Sequence, residues 1–407
     1  MEAKLGEESI MELRELNRLV YLRPDNGSLV NQRTMKTYNF TNSTYSPGQT
    51  AQAIINSGND AIWGPSSYLR VEFTKTGGTF GNGSIANLFR NVRLTHRSGE
   101  VLEYIQDSNV LSQILRRWTV STEQSPKLDS MIDVPDADAT YVRTVPLWLL
   151  LGVFNDQEQY IPPAFLAGAK LECDLETDAV MLATAGTITN IKLELVLDSA
   201  QVYDSVQKQL LDEQADVSKS GLQYSYSTWF STKNDFKGDS VNFDIQQSAS
   251  VTEQVCAVAR KVDEVVEGKD SFAFQNAFTL WQYRLGSQYL PQKPVVNSEA
   301  KTINTESYQQ SLVAFEGSPH QHAGCHGASG VNATFANFSE NKDAVFAQSL
   351  EKSAAGLQLT GEPTNNSRIL NLEATKITND NKGHRINCFL RYLRVANVMG
   401  ANLVVDR

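Results

Sequence analysis

Apolar and polar residues alternate with a period of two through most of this chain, and the alternation is laid out twice. Tyr68–Phe73 puts Leu69, Val71 and Phe73 on one face, and Ala169–Leu175 and Ile191–Leu197 repeat the pattern. Val241–Ile245 does the same in the second half. Successive side chains of a strand point to opposite faces, so this pattern describes antiparallel sheet with its apolar side inward. Each half also reaches one compact amphipathic helix, over Asp107–Trp118 in the first and Thr305–Phe315 in the second. Asn87–Leu94 can be laid over Asn276–Tyr283, with Phe278 falling 189 positions after Phe89. Thr305 follows Ser108 by 197 positions, a loose agreement that supports duplicated architecture. The reading is all-β: two tandem β-sandwiches of nearly equal size.

A chain of 407 residues is long enough for two such cores. The pattern divides it into an N-terminal arm (1–26), a first sandwich (27–205), a linker helix (206–220) and a second sandwich (221–407). The arm holds a helix candidate, Glu8–Leu22, with Ile10, Leu13, Leu16 and Val20 on one face; Pro24–Gly27 ends it. Such an arm either packs on its own domain or docks on a neighbour or a membrane surface. Thr76–Ser84 and Glu316–Asn341 are glycine-rich and polar, and are expected as outward loops. Val145–Phe154 is the most apolar stretch and is expected in the core or a subunit seam. Pro291 and Pro294 cannot donate ladder hydrogen bonds, so a strand entering at Tyr283 is expected to end at Pro291.

Composition excludes several functions. The net charge of -10 argues against a coat that holds nucleic acid through phosphates, which calls for a basic patch or arm. No apolar run is long enough to span a membrane as a helix, and Met1–Glu8 lacks a signal-peptide pattern. Cys173, Cys256, Cys325 and Cys388 are widely spaced and read as buried thiols made in a reducing compartment. The Asn-x-Ser/Thr matches at Asn26, Asn39, Asn42, Asn82, Asn332, Asn337 and Asn365 read as incidental loop composition. No nucleophile elbow, phosphate loop or dinucleotide fingerprint is present. The segment from His320 to His326 gathers His320, His322, Cys325 and His326, but the spacing matches no established zinc module. It reads as a polar surface loop, with metal binding and a pH-sensitive contact as the alternatives. His96 and His384 read as surface residues. Asp136/Asp138 and Glu264/Glu267 are local, exposed-looking pairs, and Arg116, Arg117, Arg391 and Arg394 suit structural salt bridges. No residue is assigned a catalytic, cofactor-binding or metal-binding role, and no cofactor is expected.

Four phrases carry a family resemblance. They are Leu88–Leu94 with Ser98–Ile105; Val145–Trp148 with Tyr160–Leu166 and Lys170–Glu176; Tyr283–Pro294; and Asn387–Val398. In their order and spacing the chain resembles the double jelly-roll major capsid proteins of double-stranded DNA viruses, in particular the polinton-like virus and virophage group. The resemblance implies two eight-stranded antiparallel jelly rolls with short helices in the connections and an N-terminal helical arm. It implies a structural protein of the virion and no enzyme. It also implies homotrimers of nearly hexagonal outline that tile an icosahedral shell. The implied partners are neighbouring capsomers, penton and minor capsid proteins, and an inner membrane or minor protein reached through the arm, without specific nucleic-acid binding. A carbohydrate-binding or receptor-binding β-sandwich spike is the alternative, and a β-sandwich hydrolase is a third reading.

Overall fold

The computed structural model describes residues 30–156, 159–203, 207–208, 211–212, 222–262, 272–297, 304–316, 338, 343–351, 361–364, 368–376, 383–399 and 402–406. The arm, most of the linker segment, Cys325, the His320–His326 segment, Glu264/Glu267 and most of Glu316–Asn341 lie outside them.

The first half contributes β1 (Val30–Asn39), β2 (Thr50–Ile55), β3 (Ala61–Gly77), β4 (Phe89–Thr95), β5 (Val101–Ile105), β6 (Ala139–Pro146), β7 (Ala169–Leu175) and β8 (Gly186–Val202). They form two four-stranded sheets, β1-β8-β3-β6 and β2-β7-β4-β5. The second half contributes β9 (Leu222–Phe236), β10 (Ser240–Ile245), β11 (Ala249–Lys261), β12 (Phe278–Leu285), β13 (Gln288–Val296) and β14 (Phe346–Ser349). It continues with β15 (Glu362–Thr364), β16 (Leu370–Lys376), β17 (His384–Met399) and β18 (Asn402–Asp406). One sheet is β10-β16-β12-β13, and the other runs β9-β17-β11-β14, with β15 added to β11 and β18 to β17. Leaving aside those two short additions, the second half repeats the first half's order strand for strand. Two antiparallel sheets wrapped in this order make an eight-stranded jelly roll, so the chain is two jelly rolls in tandem.

The alternation read from sequence sets the faces. On β3, Leu69, Val71 and Phe73 are fully buried, and on β7 so are Ala169, Leu171 and Cys173. The intervening residues pair on the outer face: Gln52 donates to Glu172 (2.9 Å), Arg70 to Glu194 (2.7 Å) and Lys192 to Glu72 (2.7 Å). Opposite charges on neighbouring strands align the register as well as solubilise the surface. β11 departs from this alternation: Thr252–Arg260 is buried without a break.

Helix α1 (Ser108–Trp118) joins β5 to β6, and α2 (Ser125–Ile132) follows it; α3 (Thr305–Glu316) joins β13 to β14. The two helices expected from sequence therefore occupy the same connection in each roll. Val145–Phe154 belongs to the core, with Leu147, Leu149, Leu150 and Leu151 at most 1% exposed.

Three expectations are corrected. β13 does not end at Pro291. It lies at the edge of its sheet, where a missing N–H is tolerated, and the ladder slips out of register between Leu290 and Val295 and then resumes. His96 and His384 are buried. His96 contacts Ser98 Oγ (2.8 Å) and the Ala164 carbonyl (3.0 Å), while His384 lies beside Phe236 at 5.8 Å between ring centroids. Their neighbouring arginines had suggested solvent, but each ring fills a gap between elements distant in sequence. Thr76–Ser84 folds back on the first roll, where Phe80 is buried against Phe73 (5.8 Å).

Candidate assembly interface

The functional question is how the two rolls are held. Strand β5 is the edge of its sheet. A free edge exposes carbonyls that invite pairing with another strand. Here those carbonyls are taken by side chains of the second roll. The Tyr226 hydroxyl donates to the Leu102 carbonyl. Arg394 donates to the same oxygen at 2.7 Å and to Val101 at 3.4 Å.

Glu103, on the same strand, is fully buried. Its carboxylate accepts the N–H groups of Gly152 (2.8 Å) and Val153 (3.0 Å) and the hydroxyl of Thr228 from the second roll. Burial pushes its carboxyl above the usual range, against the pull of these donors and of Arg394. Gly152 lies so close to β9 that a Cβ there would sit 2.2 Å from the Ser227 carbonyl oxygen. Tyr224 and Tyr226 are pushed well above the usual phenol range by burial.

Further along the seam, Asp107 precedes α1 and has the residue type of a helix cap. Its side chain makes no cap hydrogen bond. The carboxylate instead receives Lys233 Nζ (3.0 Å) and Asn387 Nδ2 (3.1 Å) from the second roll. Its backbone adopts the left-handed conformation at φ 49°, which Asp tolerates better than most residues. At the other end of α1, Arg117 pairs with Asp343 and lies 5.1 Å from the Phe274 ring centroid. Burial lowers the Arg117 pKa, and Asp343 opposes that shift. Trp118, fully buried, stacks on Phe315 (5.6 Å) and lies against Tyr308 (5.7 Å), both on α3. The connecting helix of the first roll thus completes the core around its counterpart in the second.

The arginines expected in structural pairs are in them: Arg116 with Asp129 and Asp133, Arg117 with Asp343, and Arg391 with Glu253. Arg394 serves backbone carbonyls instead. Asp136 and Asp138 are exposed, and Cys173, Cys256 and Cys388 are buried. Among the described residues no group of three or more His, Cys, Asp or Glu side chains could hold a metal ion. Sequence reasoning missed the seam residues Glu103, Gly152, Tyr226 and Thr228. Glu103 carried one weak signal, a carboxylate in Val101–Ile105 where the strand is otherwise apolar or aromatic.

The fold defines the class: a double jelly roll, built as an intact pair across a polar seam. No protein-family model matches the chain, and no curated protein does. Solved structures do. Crystallographic PBCV-1 VP54, fitted into a reconstruction of the virophage Sputnik, is 13% identical, with TM-score 0.62 over 92% of this chain and 97% of that one. A chain of the Sputnik virophage cryo-EM structure is 11% identical, with TM-score 0.59 over 93% and 88%. The Faustovirus major capsid protein is 9% identical, with TM-score 0.57 over 90% of each chain. Both rolls and their mutual arrangement are therefore shared with these proteins, while almost none of the side chains are.

Proposed function

We propose that this chain is the major capsid protein of an icosahedral virus, a shell subunit with no chemistry of its own. The observation that supports this reading best is the duplication: one strand order built twice and locked across a seam of buried, fully directed hydrogen bonds. Two rolls held at a fixed angle do not by themselves decide a function; what favours a shell over a binding module is whether that geometry is put to use. A shell uses it. Three copies of a two-lobed subunit present six similar wedges around a threefold axis, and such a unit tiles a plane as a hexagon. Because the halves differ in sequence, their outward contacts can differ too. Among the proteins that share this fold is the Faustovirus major capsid protein.

In this reading the homotrimer is the building unit, and its sides meet neighbouring capsomers in the virion. Penton and minor capsid proteins fill the vertices and the inner surface. The N-terminal arm (1–26) reaches a minor protein or an inner membrane. The receptor-binding alternative is not favoured, since the outer face along β3 and β8 carries the paired charges Arg70, Glu194, Glu72 and Lys192. Mass photometry of the purified chain should give three chain masses, and electron microscopy should give hexagonal outlines. A monomer at micromolar concentration would contradict the reading.

A further inference from the structure

The strand on which the seam closes is lightly held by its own roll. β5 is the edge of its sheet, and among the described strands it pairs with β4 alone. Val101 stands opposite Thr95 and Glu103 opposite Leu94, so Leu102 between them has no ladder partner. Such a β-bulge disrupts the ladder locally. The spare Leu102 carbonyl goes to the second roll, where the Tyr226 hydroxyl and Arg394 take it. Ahead of the bulge, the start of β5 is fixed to the first roll by the Thr95–Val101 pair and by the turn that joins it to β4.

That turn is built around His96. Its N–H donates to the Glu100 carbonyl (2.8 Å), and its carbonyl accepts the Gly99 N–H (2.9 Å). Its ring is buried between the turn and the short helical turn Pro163–Leu166. Nδ1 accepts the Ser98 N–H at 3.1 Å, and Ser98 Oγ lies 2.8 Å from the same nitrogen. An imidazole nitrogen that accepts an N–H carries no proton of its own. This hydrogen-bond pattern assigns the ring proton to Nε2, which donates it to the Ala164 carbonyl (3.0 Å). The turn as it stands therefore requires a neutral ring in one tautomer.

We propose that His96 is an acid-operated latch on the seam between the two rolls. A proton added at Nδ1 turns it from acceptor to donor, facing the Ser98 N–H, and the turn has to give up that contact. Nothing nearby welcomes the new charge. Arg97 is its neighbour, and the Arg97 side chain packs over Gly168, where a Cβ would lie 3.3 Å from it. Glu100, in the same turn, is exposed to solvent. Pro162–Gly168, on the other side of the ring, has no ionisable side chain. Lys170 stands opposite Thr95 and is paired with Glu172 at 3.0 Å. Burial holds the ring's pKa below its ordinary value of 6.5; the Ala164 carbonyl opposes that shift and Arg97 adds to it. The latch is therefore fully closed above pH 6.5 and is lost as pH falls through the folded pKa. Once the turn opens, Tyr226 and Arg394 hold a loose end of β5 instead of the first roll. Glu103 acts in the opposite sense, since acid favours its neutral form, so loosening on acidification belongs to the turn. The joint lies within one chain, and the latch stands or falls independently of how copies assemble.

Hydrogen exchange of the full chain at pH 7.5 and pH 5.5, read by mass spectrometry and corrected for the intrinsic rate, tests this. In the wild type, peptides covering 96–105 and 222–230 should each lose protection about tenfold at the lower pH, while a peptide covering β12 keeps it. His96→Gln retains a donor for Ala164 and cannot be protonated, so both of its seam peptides should exchange alike at the two pH values. Unchanged wild-type protection, a loss confined to 96–100, or a His96→Gln protein that loosens as the wild type does overturns the latch. NMR of the wild type labelled in its histidine ring carbons gives a reading that needs no variant. The His96 ring should leave the Nε2–H tautomer as exchange rises, and a ring that stays neutral while the seam loosens overturns the proposal as well.

Discussion

Gly152→Ala probes the seam with a single methyl group. The added Cβ would lie 2.2 Å from the Ser227 carbonyl oxygen and 3.1 Å from its carbonyl carbon, both backbone atoms in the middle of β9. Restoring ordinary contact near 3.4 Å means parting the two rolls locally by roughly 1.2 Å. The hydrogen bond from Gly152 to Glu103 lies within the first roll, so the parting falls on β9 and on the bonds it sends across the seam. The Thr228–Glu103 and Tyr226–Leu102 pairs are carried by the same stretch of β9 and would loosen with it. A buried polar group left without its partner costs about 1–3 kcal/mol, so two such losses come to about 2–6 kcal/mol. That is a large part of the 5–15 kcal/mol or so typical of a folded domain. Urea unfolding followed by tryptophan fluorescence measures it directly, since Trp118 lies in the seam and Trp229 on β9. Gly238→Ala is the control: its Cβ would meet nothing nearer than 3.8 Å, and the change should stay within about 0.5 kcal/mol of wild type. A Gly152→Ala protein within that same margin would refute the account of a tightly closed seam.

Two further predictions concern charges at the seam. The folded protein holds the Glu103 carboxyl above its ordinary value of 4.5, so its neutral form is favoured by folding. That contribution is fully present below the unfolded pKa and is lost as pH rises through the folded one; melting temperatures of Glu103→Gln should lack this slope, and parallel wild-type and variant profiles would exclude it. Arg117→Ala leaves Asp343 buried without its cation, which costs about 3–5 kcal/mol when a buried pair is broken on one side. Arg117→Ala together with Asp343→Ala should recover part of that loss in the urea midpoint, and equal midpoints for the single and double variants would show that the pair is not coupled.

The alternating segments already described the strands, because side-chain direction in a strand is a local property with a period of two. The two connecting helices were legible from another local pattern, the helical spacing of their apolar residues, and the 189-residue interval between Phe89 and Phe278 is kept by the strands that contain them. The strand through Pro291 was misread because local chemistry disfavours proline in a ladder, while only the sheet order reveals that β13 is an edge. His96 and His384 were misplaced because adjacent charges say nothing about what packs on a ring from another element.

The seam lies furthest from what sequence could determine. Asp107 has the makings of a helix cap, yet its carboxylate is held by Lys233 and Asn387, more than a hundred residues away. Glu103 looks like an exposed charge on a short strand until Thr228 and the Gly152–Val153 turn close over it. The residue pattern by itself determined two sheets' worth of strands, twice, since inward and outward positions are written into the alternation. Which edge is covered, and by what, was decided only when the rolls met, because a hydrogen bond across the seam depends on the position of a distant backbone and leaves no period in the chain.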